Sequence, residues 1–193
     1  MTRRKRALVL TLIALPGLWI VLRLVTGDAL AMDFYHLSGE MAVRLMIAAL
    51  LPGPLVAWFG AGPLLRGWLA VRRNLGVGAA CYALLHLSLY IIEMRQVAAM
   101  LDELTLPAIW TGWIALALLC IPAAISFDRA ARTLGRRWKA LQRLVYPAFL
   151  IAIAHWLLLD WHWVPAALHL APVLAAWVLR ARAQAGHHQR RMT

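Results

Sequence analysis

Leu75-Gly76-Val77-Gly78-Ala79-Ala80-Cys81-Tyr82-Ala83-Leu84-Leu85-His86-Leu87-Ser88-Leu89-Tyr90-Ile91-Ile92-Glu93-Met94 carries a single charge, Glu93, near its end. A helix needs roughly 20 apolar residues to cross a hydrocarbon core of about 30 Å, so this stretch predicts a membrane span. The rest of the chain has the same character. Of 193 residues, 63 % are hydrophobic and 15 % charged, where soluble domains have about 45–50 % and about 25 %. Mean hydropathy is +0.71. Such a chain cannot cover a core with polar surface, which excludes a soluble enzyme.

Five further stretches have the same length and composition: Ala7–Val25, Glu40–Phe59, Leu106–Phe127, Leu141–Leu159 and Val164–Arg180. The expected fold is an all-α membrane protein, a six-transmembrane helical bundle forming one domain over residues 1–193. Arg3, Arg4, Lys5 and Arg6 precede the first stretch as in a secretory signal, but no small-x-small cleavage site follows, so it is expected to be a retained helix. The segment 60–74 is expected to lie along the inner surface, and 181–193 to be a disordered cytoplasmic tail.

Orientation follows from the bases. The chain has 20 Lys and Arg against 8 Asp and Glu, a net charge of +12. With the N-terminus inside, 17 of the 20 fall in the N-terminal tail, the 60–74 and 127–143 loops and the C-terminal tail. Only Arg23, Arg44 and Arg95 fall outside, whereas every acid except Asp128 does. Both termini are therefore expected in the cytoplasm, and the basic balance implies no nucleic-acid partner. Trp58, Trp68, Trp110, Trp138, Trp156, Trp161 and Trp163 lie near predicted helix ends, as interfacial rings do.

Polar groups at membrane depth are costly and point to function. His86 stands about 16 Å, and His155 about 21 Å, from the cytoplasmic ends of their helices. Two imidazoles at similar depth could take the two axial positions of a b-type heme. Each could equally hydrogen-bond a neighbouring backbone. His169, His162 and His36 lie nearer the outer surface as substitute ligands, propionate partners or plain interfacial residues. Tyr82, Tyr90 and Tyr146 would line a cofactor or pack. Arg72, Arg73, Arg136 and Arg137 belong to clusters that obey the charge rule and attract anionic lipid, and that could also dock a propionate, a flavin phosphate or an acidic partner. Cys81 and Cys120 sit in apolar runs and form no metal motif. No G-x-G-x-x-G, Walker or H-E-x-x-H pattern occurs.

Arg72-Arg73-Asn74-Leu75-Gly76, with Tyr82-Ala83-Leu84-Leu85-His86-Leu87-Ser88-Leu89-Tyr90 after it, resembles an R-R-x-L-G…Y-x-x-L-H-x-x-x-Y signature. Leu134-Gly135-Arg136-Arg137-Trp138-Lys139-Ala140-Leu141-Gln142-Arg143-Leu144-Val145-Tyr146 is similar to L-G-x-x-W-x-x-L-H-x-x-V-Y. Leu51-Pro52 and Leu106-Pro107 match weaker turns. These are motifs of the heme-binding membrane subunit of the bacterial periplasmic methionine-sulfoxide reductase system (the MsrQ, or YedZ, family), within the ferric reductase-like transmembrane superfamily. The resemblance covers roughly residues 40–165. One departure stands out: Gln142 occupies the family's first histidine on the fifth helix.

The resemblance implies an electron-transfer subunit, not the catalytic one, in the bacterial inner membrane. It implies one heme b in the outer half of the membrane on His86 and His155, with FMN as a second cofactor. Electrons would come from a cytosolic flavin reductase or quinol and leave to a periplasmic molybdopterin-containing methionine-sulfoxide reductase. Two alternatives stay open: a stand-alone ferric- or quinone-linked membrane cytochrome b, and a heme-free transporter or assembly protein.

Overall fold

A computed structural model describes residues 3–160 and 163–189 of the chain. All regular structure among them is helical: α1 Arg3–Val25, a 3₁₀ turn Ala31–Phe34, α2 Tyr35–Leu50, α3 Pro52–Phe59, α4 Pro63–Met94, α5 Val97–Glu103, α6 Pro107–Ala124, α7 Asp128–Leu134, α8 Arg136–Gln142, α9 Val145–Asp160 and α10 Trp163–Gln189. Six helical stretches are long and apolar enough to cross a membrane, as expected.

The spans differ from the hydropathy reading at their ends. The segment 60–74 is not a surface loop but mostly the first three turns of α4, which begins with Pro63 at its first position. Proline there is pre-set for helix and lacks only an N–H that would have no partner. At 32 residues, α4 is about 48 Å long and must project beyond a core of about 30 Å. Gly60, at φ 82°, ends α3 just before it. The 127–143 segment is two short helices hinged at Gly135, whose φ of 50° suits glycine. Of the expected tail 181–193, residues 181–189 continue α10, where Arg-Ala-Arg-Ala-Gln-Ala is a run of strong helix formers, and residues 190–193 lie outside the described residues.

Helix α2 packs along α4, and α6 along α9. Between helices in lipid no hydrophobic force acts, so close backbone approach through small residues must hold them together. The buried core accordingly mixes Ala42, Ala49, Ala79, Ala80 and Ala148 with Met46, Leu50 and Phe149. Helix α1 stands apart: of its described side chains only Ile20 is fully buried. Pro16 interrupts its ladder, and beside it the Tyr82 hydroxyl donates to Ile13 O and accepts from Gly17 N, each at 2.8 Å. Ile13 and Gly17 are the acceptor and donor of one helical turn, so a side chain of α4 sits within the hydrogen bonding of α1.

Candidate functional site

His86 on α4 and His155 on α9 face each other with ring centroids 6.4 Å apart and planes at 85°. The backbone fixes their tautomers. His86 Nδ1 lies 3.1 Å from Tyr35 O, and His155 Nδ1 lies 2.5 Å from Ala108 O. A carbonyl only accepts, so each Nδ1 carries the proton and each Nε2 keeps a lone pair free for a metal. Ser38 and Thr111, the buried polar side chains among the described residues, brace these contacts. Ser38 Oγ donates to Tyr35 O at 3.0 Å and lies 3.1 Å from His86 Nδ1. Thr111 Oγ1 bonds Ala108 O at 2.8 Å and Pro107 O at 2.7 Å.

Glycine makes room for both rings. A Cβ on Gly39 of α2 would stand 3.4 Å from His86 Cε1, and one on Gly112 of α6 would stand 2.7 Å from His155 Cε1. The histidines border a cavity of about 520 Å³ whose walls include Val43, Met46, Leu116 and Leu119, within the range of about 300–1,000 Å³ usual for cofactor sites. Carboxylates of Glu40, Glu93 and Glu103 line it as well. Tyr90 donates to Glu103 at 2.7 Å, and Arg44 pairs with Glu40 at 2.6 Å.

An imidazole nitrogen binds a first-row metal at about 2.0–2.1 Å, so two rings in line on one ion have centroids roughly 6 Å apart. The observed separation fits. Among the described residues no group of three or more His, Cys, Asp or Glu is disposed around an ion. The pair therefore supplies two ligands and suits a metal that brings its in-plane ligands with it.

The other candidates divide between the cavity and sites away from it. His169 on α10 points Nδ1 at Pro165 O (2.8 Å) and Nε2 at Glu40 Oε1 (3.6 Å), with its ring against Trp156. His162 lies outside the described residues. His36 borders the cavity and packs edge-on against Trp156. Tyr90 is on the cavity wall, whereas Tyr82 turns to α1 and Tyr146 packs against Trp177. Arg136 and Arg137 are exposed on α8, and Arg72 is half-buried beside Gly53. Arg73 bonds Asp128 at 2.5 Å and stacks over Trp138; this guanidinium, with Arg132 and Arg6 nearby, holds the Asp128 carboxyl below its ordinary range. Gln142, thirteen residues before His155, donates to Pro122 O at 2.9 Å and Ser126 Oγ at 3.3 Å, tying α8 to the end of α6.

Sequence reading missed Tyr35, Ser38, Thr111, Gly39 and Gly112. Only the glycines left a signal: within a helix Gly costs about 1 kcal/mol against Ala, so in an apolar span it calls for a packing reason.

Two imidazoles held by backbone across a mostly apolar cavity, in a chain with six helices fit to cross a membrane, define a helical membrane protein whose site could supply two ligands to a metal cofactor. The ferric reductase like transmembrane component family matches residues 38–153, from Ser38 beside the first histidine to two residues short of the second. The protein-methionine-sulfoxide reductase heme-binding subunits MsrQ of Brucella ovis and Brucella canis are each 35 % identical over 170 residues, 85 % of this chain and 75 % of theirs. The chain belongs to the ferric reductase-like transmembrane family and, within it, to the MsrQ subunits.

Proposed function

We propose that the chain is a heme-bearing electron-transfer subunit that carries electrons across the bacterial inner membrane to a periplasmic methionine-sulfoxide reductase. The observation that carries the reading is the facing pair His86 and His155, each with its Nδ1–H engaged by a backbone carbonyl. The heme-binding name of the relatives supports the same cofactor. One b-type heme would sit between the two imidazoles, where the bound iron supplies a one-electron couple. The residues do the remainder. Tyr35 O and Ala108 O keep both Nε2 atoms unprotonated, Gly39 and Gly112 let the rings approach, and the apolar wall excludes water.

The distribution of bases supports cytoplasmic termini, and with that orientation the pair would lie in the outer half of the bilayer. Electrons would then enter from a flavin reductase, through FMN, or from quinol, and leave to a molybdopterin-containing partner. Gln142, engaged with Pro122 and Ser126, supports a single heme, since an amide turned to a carbonyl offers no ligand to a second. The same departure favours one alternative, a stand-alone cytochrome b with another acceptor.

The test is the visible spectrum of the purified protein. Dithionite reduction gives a b-type α band in the wild type, and both His86→Ala and His155→Ala lose it. Full heme content in both variants overturns the assignment. Capture of a methionine-sulfoxide reductase on the intact protein separates the first acceptor from the alternative.

A further inference from the structure

A second cavity, about 560 Å³, opens between α1 and α4 beside Tyr82. One end is polar: Arg6, Arg73, Asn74 and Ser126 border it. From there it runs past Leu10 and Ile13 to Val21 on α1, and past Val77 and Cys81 to Leu85 on α4. From Arg6 to Val21 the groove is about 22 Å long, somewhat more than one leaflet of a core of about 30 Å.

Charge and level are both defined. Around the polar end Arg6, Arg73 and Arg132 gather on a single carboxylate, Asp128, leaving two positive charges in excess. Arg73 lies over the Trp138 ring, and tryptophan marks the headgroup layer of a bilayer. Beyond that end the groove is apolar, and α1 is held to α4 at Tyr82, in the cluster of Ile20 and Leu89, and where Gly78 meets Ile13: a Cβ on Gly78 would stand 2.7 Å from Ile13 Cγ2. A basic mouth at the headgroup level that leads into an apolar trough one acyl chain long matches an anionic phospholipid in both charge and shape.

We propose that this groove is a specific site for one anionic phospholipid, its phosphate on Arg6 and Arg73 and an acyl chain laid between α1 and α4. The lipid fills the gap that the sparse α1 packing leaves and seats the first helix against the bundle. The site is independent of the histidine pair.

Native mass spectrometry of the full chain in mild detergent tests it. The wild type retains one phosphatidylglycerol-class lipid per chain. The double variant Arg6→Gln/Arg73→Gln retains it about 30-fold less, and Cys81→Trp, which obstructs the trough without touching the charges, also loses it. Arg180→Gln/Arg182→Gln, whose charges lie away from the groove, behaves as wild type and controls for net charge. Thermal unfolding of the delipidated protein gives a second readout: phosphatidylglycerol in mixed micelles raises the midpoint, whereas phosphatidylcholine and inorganic phosphate do not. Equal retention in wild type and both groove variants overturns the proposal. So does a quinone or a zwitterionic lipid as the retained molecule.

Discussion

Gly112 and His155 leave no space between them for a methyl group: a Cβ on Gly112 would stand 2.7 Å from His155 Cε1 and 2.9 Å from its Nδ1. Gly112→Ala must therefore push the imidazole off the Ala108 carbonyl. Overpacking of this kind costs about 1–3 kcal/mol, and here it falls on the ring whose orientation the site needs. The expected result is a clear drop in heme per chain with a shifted α band. At Gly39 the corresponding contact is 3.4 Å, so Gly39→Ala should have a milder effect. A Gly112→Ala protein with wild-type heme content and spectrum would contradict the geometry.

His169 should prove dispensable for cofactor content. Its Nδ1 is bound to Pro165 O and its Nε2 faces Glu40, so neither nitrogen is directed to the His86–His155 gap. His169→Phe is expected to keep the wild-type ratio of heme to protein, measured by pyridine hemochrome. Loss matching that of His155→Ala would make His169 a ligand after all.

Gln142 ties two helix ends together through Pro122 and Ser126. Gln142→Ala should retain full heme while lowering stability by about 1 kcal/mol, the usual worth of one hydrogen bond. Detergent unfolding and the reduced spectrum, read on the same sample, separate the two effects.

The Arg73–Asp128 pair gives a pH dependence with a defined sign. Asp128 is held below the ordinary carboxylate range by Arg73 in the folded chain. Its contribution is therefore present above the unfolded value of about 4 and is lost as the pH falls through the lower folded value. Asp128→Asn should flatten the acid limb of the melting-temperature profile. Near neutrality it should change little, because an exposed pair is screened by solvent.

Hydropathy made the six spans legible because it registers which residues tolerate lipid. The same property hid the first turns of α4, where Pro63, Arg66, Arg72 and Arg73 continue the helix past the apolar layer. Helix continuation and membrane residence are different quantities, and a sequence window measures the second. His86 and His155 could be singled out because imidazole is rare at depth. That they face each other depends on how α4 and α9 turn about their axes, which a count of residues from a helix end does not fix. Their partners were invisible for another reason: Tyr35 and Ala108 act through backbone carbonyls, which every residue has. Gly112 carries meaning only once His155 is seen across from it.

The Tyr82 hydroxyl lies 65 residues downstream of the Gly17 amide it meets. At a synthesis rate of about 5–20 residues per second, roughly 3–13 s separate the two on the ribosome. Throughout that interval α1 has already emerged as an apolar segment while the group that completes its turn does not yet exist. The first helix made is thus not finished until α4 has followed it, and its seating waits on a later span.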